Sequence, residues 1–163
     1  MIRSKNSGFL NFLLNHSAIY PVITHDFAPQ YIDVCGLLED EKNIFLRFQG
    51  GGILFLAKSS GIYSLDTYFL PRYRGAYAFN CIKKALSYLF LQHKAQLIIA
   101  EAPDCNRVSQ ITALKLGFQH IYTVKREWMK DGIPYDLKLY VLTKEKYGQL
   151  DKCINGRRIQ GGG

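Results

Sequence analysis

The chain is poor in the residues that metal sites and disulfide frameworks require. Its four cysteines (Cys35, Cys81, Cys105 and Cys153) lie far apart with no C-x-x-C pair, and its four histidines do not cluster. That pattern argues against a zinc site and against a stapled secreted fold, and leaves reduced thiols as the simple reading. No metal is expected. Long hydrophobic runs are also missing. The one apolar stretch near the N-terminus, Gly8 to Leu14, is interrupted by Asn11 and followed by Asn15-His16. It is too short and too polar to span a bilayer, and no signal-peptide cleavage pattern follows it. A soluble protein residing in the cytoplasm is expected, with no membrane partner. There is no internal repeat and no linker that would split the chain, so at 163 residues a single domain is expected, long enough for a core that needs no staples.

Acidic residues thin out along the chain. Residues 1–60 carry five Lys/Arg and five Asp/Glu, whereas residues 61–163 carry sixteen against eight and hold the whole net charge of +8. A basic half suits a phosphorylated cofactor, a nucleic acid or an acidic partner, or it is a solvated basic surface. The basic residues are not interleaved with aromatics on one face and no recognition motif accompanies them, so nucleic acid is not expected. The chain is rich in Tyr and Phe, at 11 and 10, which favours strands and aromatic-lined grooves.

Hydrophobic spacing predicts a short amphipathic helix over 5–16, a loop over 17–29, and a strand from Tyr31 to Leu38. A charged turn follows at 39–43, then a strand from Asn43 to Gln49 ended by Gly50-Gly51-Gly52. Ile53 to Lys58 and Ile62 to Leu70 form a hairpin around Ser59-Ser60-Gly61. Ala76 to Gln92 is a helix that buries Ala78, Ile82, Ala85, Leu86 and Leu89. Leu97 to Ala100 is a short apolar strand covered on both faces, Asn106 to Leu116 a helix stopped by Gly117, and Phe118–Trp128 and Tyr135–Leu142 are strands joined through Lys130-Asp131-Gly132. Residues 1–147 are the domain and 148–163 a basic, frayed tail. The order gives an α/β fold: a mixed, mostly antiparallel sheet flanked by helices.

Two strand-to-helix junctions carry the chemistry. In the first, Tyr68-Phe69-Leu70 stops at Pro71 and passes through Arg72-Tyr73-Arg74-Gly75 into the helix. A helix N-terminus offers unpaired N–H groups and a positive dipole end to an anion. In the second, Leu97-Ile98-Ile99-Ala100-Glu101-Ala102-Pro103 leads to Asn106-x-x-Ser109-x-x-x-Ala113-x-Lys115-x-Gly117-Phe118. Together they resemble the cofactor-binding centre of the GNAT family of N-acetyltransferases, over about residues 31 to 143. The resemblance implies acetyl-CoA as cofactor, with its diphosphate over residues 74–79. It implies Leu70, Arg72, Arg74, Gly75, Ala76, Tyr77, Ala78 and Asn106 as cofactor-binding residues, Asn106 positioning the pantetheine arm. Arg72 and Arg74 read equally as surface residues, and Asn106 equally as the N-cap of its own helix.

The chain departs from the family pattern at three positions. Tyr77 and Phe79 stand where two glycines are usual, with side chains to crowd the phosphates. Ala113 stands where many members place a tyrosine that protonates the departing thiolate; Tyr122 or Tyr77 would have to supply that proton from elsewhere. For the base that makes an acceptor amine neutral, Asp66, which shares a strand face with Ser64 and Tyr68, and Glu101 are the catalytic candidates. Each reads also as a structural carboxylate. The expected activity is acetyl transfer from acetyl-CoA to a small-molecule or protein amine. The alternative is a catalytically silent GNAT-fold protein, since residues 16–23 ahead of an altered centre resemble phage-encoded GNAT-like proteins. That alternative implies phage structural partners in virion assembly or DNA transfer.

Overall fold

A computed structural model describes the protein over residues 1–150. Its elements are β1 (Ile2–Arg3), α1 (Ser7–Leu14), α2 (Tyr20–Ile23), β2 (Ile44–Phe48), β3 (Gly51–Ser59), β4 (Ile62–Phe69), a single 3-10 turn (Pro71–Tyr73), α3 (Ala76–Gln92), β5 (Leu97–Pro103), α4 (Arg107–Lys115), β6 (Gln119–Lys130) and β7 (Ile133–Thr143). A further helix, α5, covers 144–150. The strands form one sheet in the order β1-β2-β3-β4-β5-β7-β6, antiparallel throughout except where β4 and β5 run parallel.

The period-two alternation of the strands divides the core into two layers. On one face Ile44, Leu46, Ile53, Phe55 and Phe69 pack against Ile82, Ala85, Leu86, Leu89 and Phe90 of α3, and against Ala113 and Leu116 around α4. On the other, Phe45, Leu54 and Tyr68 pack against Leu10, Leu13 and Leu14 of α1 and against Ile19 and Leu38. Each fully buried side chain of this kind contributes about 1.5–3 kcal/mol. Helix α1 starts where the Asn6 side chain accepts the Phe9 N–H at 2.8 Å, and its Leu10, Leu13 and Leu14 follow the i, i+3, i+4 spacing of a buried stripe. At the β6–β7 hairpin Asp131 and Gly132 both take positive φ, 52° and 73°, the requirement of a two-residue turn that matches strand twist.

The structure departs from the sequence reading at several places. Residues 31–38 form no strand, because their backbone groups are taken by side chains of α1 and its cap. Asn15 Oδ1 accepts from Ile32 N and its Nδ2 donates to Ile32 O, each at 2.8 Å, while Asn11 Oδ1 accepts from Val34 N at 2.9 Å. Only Gly50 of the three glycines belongs to the turn; Gly51 and Gly52 already pair with Phe48 and Arg47 inside the β2–β3 ladder. Strand β5 runs on to Pro103 and is not covered on both faces: Glu101 is exposed and Ile99 and Ala100 are half-buried. The tail expected from 148 has its first three residues inside α5, where Leu150 packs on the core; residues 151–163 lie outside the described residues. Among the described residues no helix is long and apolar enough to cross a membrane.

Candidate active site

The parallel pairing of β4 with β5 is brief. It covers Ile62↔Leu97, Tyr63↔Ile98 and Ser64↔Ile99, and then the two strands part. Each keeps its outer partner beyond that point: β4 stays paired with β3 as far as Phe69, and β5 with β7 as far as Pro103. The sheet therefore opens into a wedge whose inner edges carry backbone N–H and C=O groups with no strand opposite. A cleft of about 690 Å³ occupies the wedge and reaches both faces of the sheet. On the α3 face it is lined by Gly75, Ala78, Phe79, Asn106, Ala113 and Tyr140. On the α1 face it is lined by Asp66, Glu101, Trp128 and a group of aliphatic side chains.

Asp66 and Glu101 face each other across the opening. Extending the Ser64↔Ile99 register by two residues sets Asp66 opposite Glu101, both on the α1 face. Among the described residues no donor bonds the Asp66 carboxyl. Burial among apolar neighbours, reinforced by the Glu101 charge and slightly opposed by Lys58, pushes its pKa from the ordinary 3.8 up to about 6. A carboxylate so poised near neutrality is suited to accept a proton. Tyr68 shares its face, and burial raises that phenol well above the usual range, with the Asp66 charge adding to the effect.

At the other end of the wedge, α3 begins without a side-chain cap. Gly75 occupies the capping position with φ 68° and ψ −132°, a conformation essentially reserved for glycine. A Cβ there would meet no atom within 4 Å, so the space in front of the first helical turn is open. The first backbone bond into the helix runs from Phe79 N to Gly75 O, which leaves the preceding N–H groups directed at that space.

The cofactor-binding residues expected from sequence divide into two groups. Arg74, Gly75, Ala78 and Asn106 line the cleft, whereas Leu70, Arg72, Ala76 and Tyr77 stand beside it and do not. Arg74 spends two donors on backbone, Nε to Phe69 O at 2.9 Å and Nη2 to Ala18 O at 2.6 Å, so it ties the segment before α2 to the end of β4. The Arg72 guanidinium lies 4.7 Å from the centre of the Tyr73 ring, on the surface. Asn106 does cap α4, its Oδ1 accepting from Ser109 N at 3.1 Å, and still lines the cleft. The expected crowding by Tyr77 is absent because its ring turns away to pack on Phe69 and Tyr73, at 6.2 and 5.7 Å between centroids. Phe79 does line the cleft, as part of its wall.

Neither tyrosine expected to replace the one missing at Ala113 can do so. Tyr122 is 62% exposed on β6, and Tyr77 points elsewhere. A tyrosine that sequence reasoning did not single out, Tyr140, does line the cleft. It lies directly opposite Ala100 in the β5–β7 ladder, on the α3 face, 3% exposed and lining the cleft. Burial, with a lesser contribution from Asp104 and a counter-effect of Lys138, raises its pKa, so the phenol stays protonated at neutral pH.

The chain matches no protein-family model and no curated protein. Among solved structures it is similar to spermidine N-acetyltransferase from Vibrio cholerae in complex with CoA and spermine, with a TM-score of 0.72 at 17% identity, over 90% of this chain and 94% of that one. It is also similar to a GCN5-related N-acetyltransferase from Brucella melitensis, with a TM-score of 0.57 at 14% identity, over 66% of this chain and 50% of that one. The chain has the GNAT fold. The wedge between β4 and β5 lies where sequence alone placed the centre of that fold, between the two strand-to-helix junctions. Nothing in these similarities bears on phage-encoded proteins.

Proposed function

We propose that this GNAT-fold chain is an acetyl-CoA-dependent N-acetyltransferase acting on an amine. The observation that carries the reading is Asp66, a carboxylate with no donor among the described residues, held half-buried in the wedge with its pKa raised to about 6. The residues present fit the cofactor. The unpaired edges of β4 and β5 match the amide groups of a pantetheine arm, and the open, uncapped start of α3 at Gly75 suits a diphosphate.

When bound, acetyl-CoA supplies the acetyl group as a thioester. Asp66 would take one proton from the incoming ammonium and pass it to solvent, freeing the electron pair with which the nitrogen attacks the thioester carbonyl; as the C–N bond forms and the C–S bond breaks, the nitrogen would shed its second proton to solvent. Burial, with the charge of Glu101 opposite adding to it, holds Asp66 in the proton-accepting range. Tyr140, on the other side of the wedge, donates its phenolic proton to the sulfur that leaves and recovers one from solvent.

The test is release of free thiol from acetyl-CoA as a function of added amine, with N-acetylated product identified by mass spectrometry. Amine-dependent release that is lost in Asp66→Asn supports the reading. Cofactor binding without release for any amine would instead describe a protein that binds and does not catalyse.

A further inference from the structure

The α1 side of the cleft has a composition that narrows the acceptor. On this side the cleft is lined by Ile23, Ile32, Val34, Leu37 and Leu56, all half-buried aliphatics that the protein does not close over. Trp128 completes this wall, its ring held edge-on by His25 at 5.3 Å. Among the described residues, the carboxylates that line the cleft are Asp66 and Glu101, both at the strand opening. Two further acids, Asp26 and Asp33, lie outside the lining, and both are engaged. Asp26 accepts from the N–H groups of Asp131 and Gly132 at 2.9 and 2.8 Å, and Asp33 from Asn11 and from the Cys35 N–H, each at 2.9 Å.

Fixed cations flank the same wall. Arg74 bonds the Ala18 carbonyl just before α2, and Lys130 Nζ bonds the carbonyls of Pro21 and Thr24 at 2.8 and 3.2 Å. A ligand carrying one ammonium finds Asp66 and Glu101. A second ammonium further along the ligand would lie among aliphatic side chains between two cations, with no carboxylate partner among the described lining residues, which is costly. The net charge of +8 adds a long-range bias against polycations.

We infer that the acceptor is a primary monoamine with an apolar body, an alkyl- or aralkylamine, and not a polyamine. This rests on the acetyl-transfer reading for its chemistry, but on the pocket alone for its ligand class. It separates the chain from the structurally similar spermidine N-acetyltransferase despite the common fold.

Trp128 is the single tryptophan of the sequence and lines the pocket, so its fluorescence reports occupancy directly. Titration with butylamine, hexylamine, octylamine and phenethylamine should give saturable changes, with affinity rising about three- to fourfold per added methylene. Hexamethylenediamine, which differs from hexylamine by a second ammonium, should bind at least about tenfold more weakly, and spermidine more weakly still. Asp66→Asn should weaken every monoamine about tenfold while the acetyl-CoA-induced rise in unfolding temperature is unchanged, which shows that the variant is folded. The inference is overturned if hexamethylenediamine or spermidine binds as tightly as hexylamine, if chain length has no effect, or if no monoamine gives a saturable response. If the amine series holds but acetyl-CoA produces no thermal shift, the amine pocket stands and the acetyl-transfer reading falls. If acetyl-CoA binds and spermidine outcompetes hexylamine, the acetyl-transfer reading survives and this one falls.

Discussion

Replacing Asp66 by Asn should make the protein more stable and inactive at once. The carboxyl ionises near pH 6 in the folded protein instead of near 3.8, because burial and Glu101 disfavour its charge. A raised folded-state pKa means that the native state holds the proton more tightly than the unfolded chain. The stability that this proton confers is complete below about 3.8 and is lost as pH rises through about 6. Above that range the wild type carries an ionised carboxylate that its surroundings oppose, and Asn does not. The full shift corresponds to an upper limit of about 3 kcal/mol. The cleft opens to solvent beside Asp66, which screens part of this, and about 1–2 kcal/mol is the expected gain. For a domain of this length that raises the unfolding midpoint by about 2–8 °C. The assay is thermal unfolding by circular dichroism of both proteins at about pH 8 and again at about pH 4. The difference should be clear at the higher pH and shrink at the lower one. The same variant should lose about 10²–10⁴-fold in kcat, and wild-type activity should fall as pH drops through about 6. A variant less stable than wild type at both pH values would refute the account of Asp66 as a carboxylate held against its own environment.

Tyr140→Phe removes the proposed proton donor without changing ring packing, and should lower kcat by about 10²-fold or more with little change in KM for the amine, measured by steady-state kinetics. Gly75→Ala forces a side chain into φ 68°, ψ −132° and into the open space before α3. It should cost about 1–3 kcal/mol in denaturant titration and weaken acetyl-CoA binding at least tenfold by calorimetry. Asn11→Ala leaves the Val34 N–H without its acceptor and Asp33 with the Cys35 N–H alone, costing about 1–3 kcal/mol, and should raise KM for the acceptor by loosening the 31–38 wall, with kcat less affected.

Local chemistry is what the sequence carried legibly. The α3 boundaries, the Asn106 cap, the Asp131-Gly132 hairpin and the two junctions are all set by residues within a few positions of one another, and the structure realises each. Asp66 was legible for the same reason, since period-two spacing fixes its face from its neighbours. What escaped was set from a distance. Residues 31–38 have the alternation of a strand, yet their hydrogen bonds come from Asn15 and Asn11, 17 and 23 residues earlier. The register that sets Tyr140 against Ala100 joins residues forty positions apart, and nothing near Tyr140 announces it. The resemblance to a family pattern directed attention to Ala113 on α4, whereas a hydroxyl reaches the same cleft from β7. Tyr77 was read as an obstacle because spacing fixes its place on α3 but not the rotation that packs its ring on Phe69 and Tyr73.

The most direct test of the central claim is calorimetric titration of the protein with acetyl-CoA, with adenosine diphosphate as the control for binding through the phosphates alone. The account predicts saturable one-to-one binding of acetyl-CoA, tighter than adenosine diphosphate because the pantetheine arm fills the wedge between β4 and β5. No binding of acetyl-CoA, or binding no tighter than that of adenosine diphosphate, would contradict it.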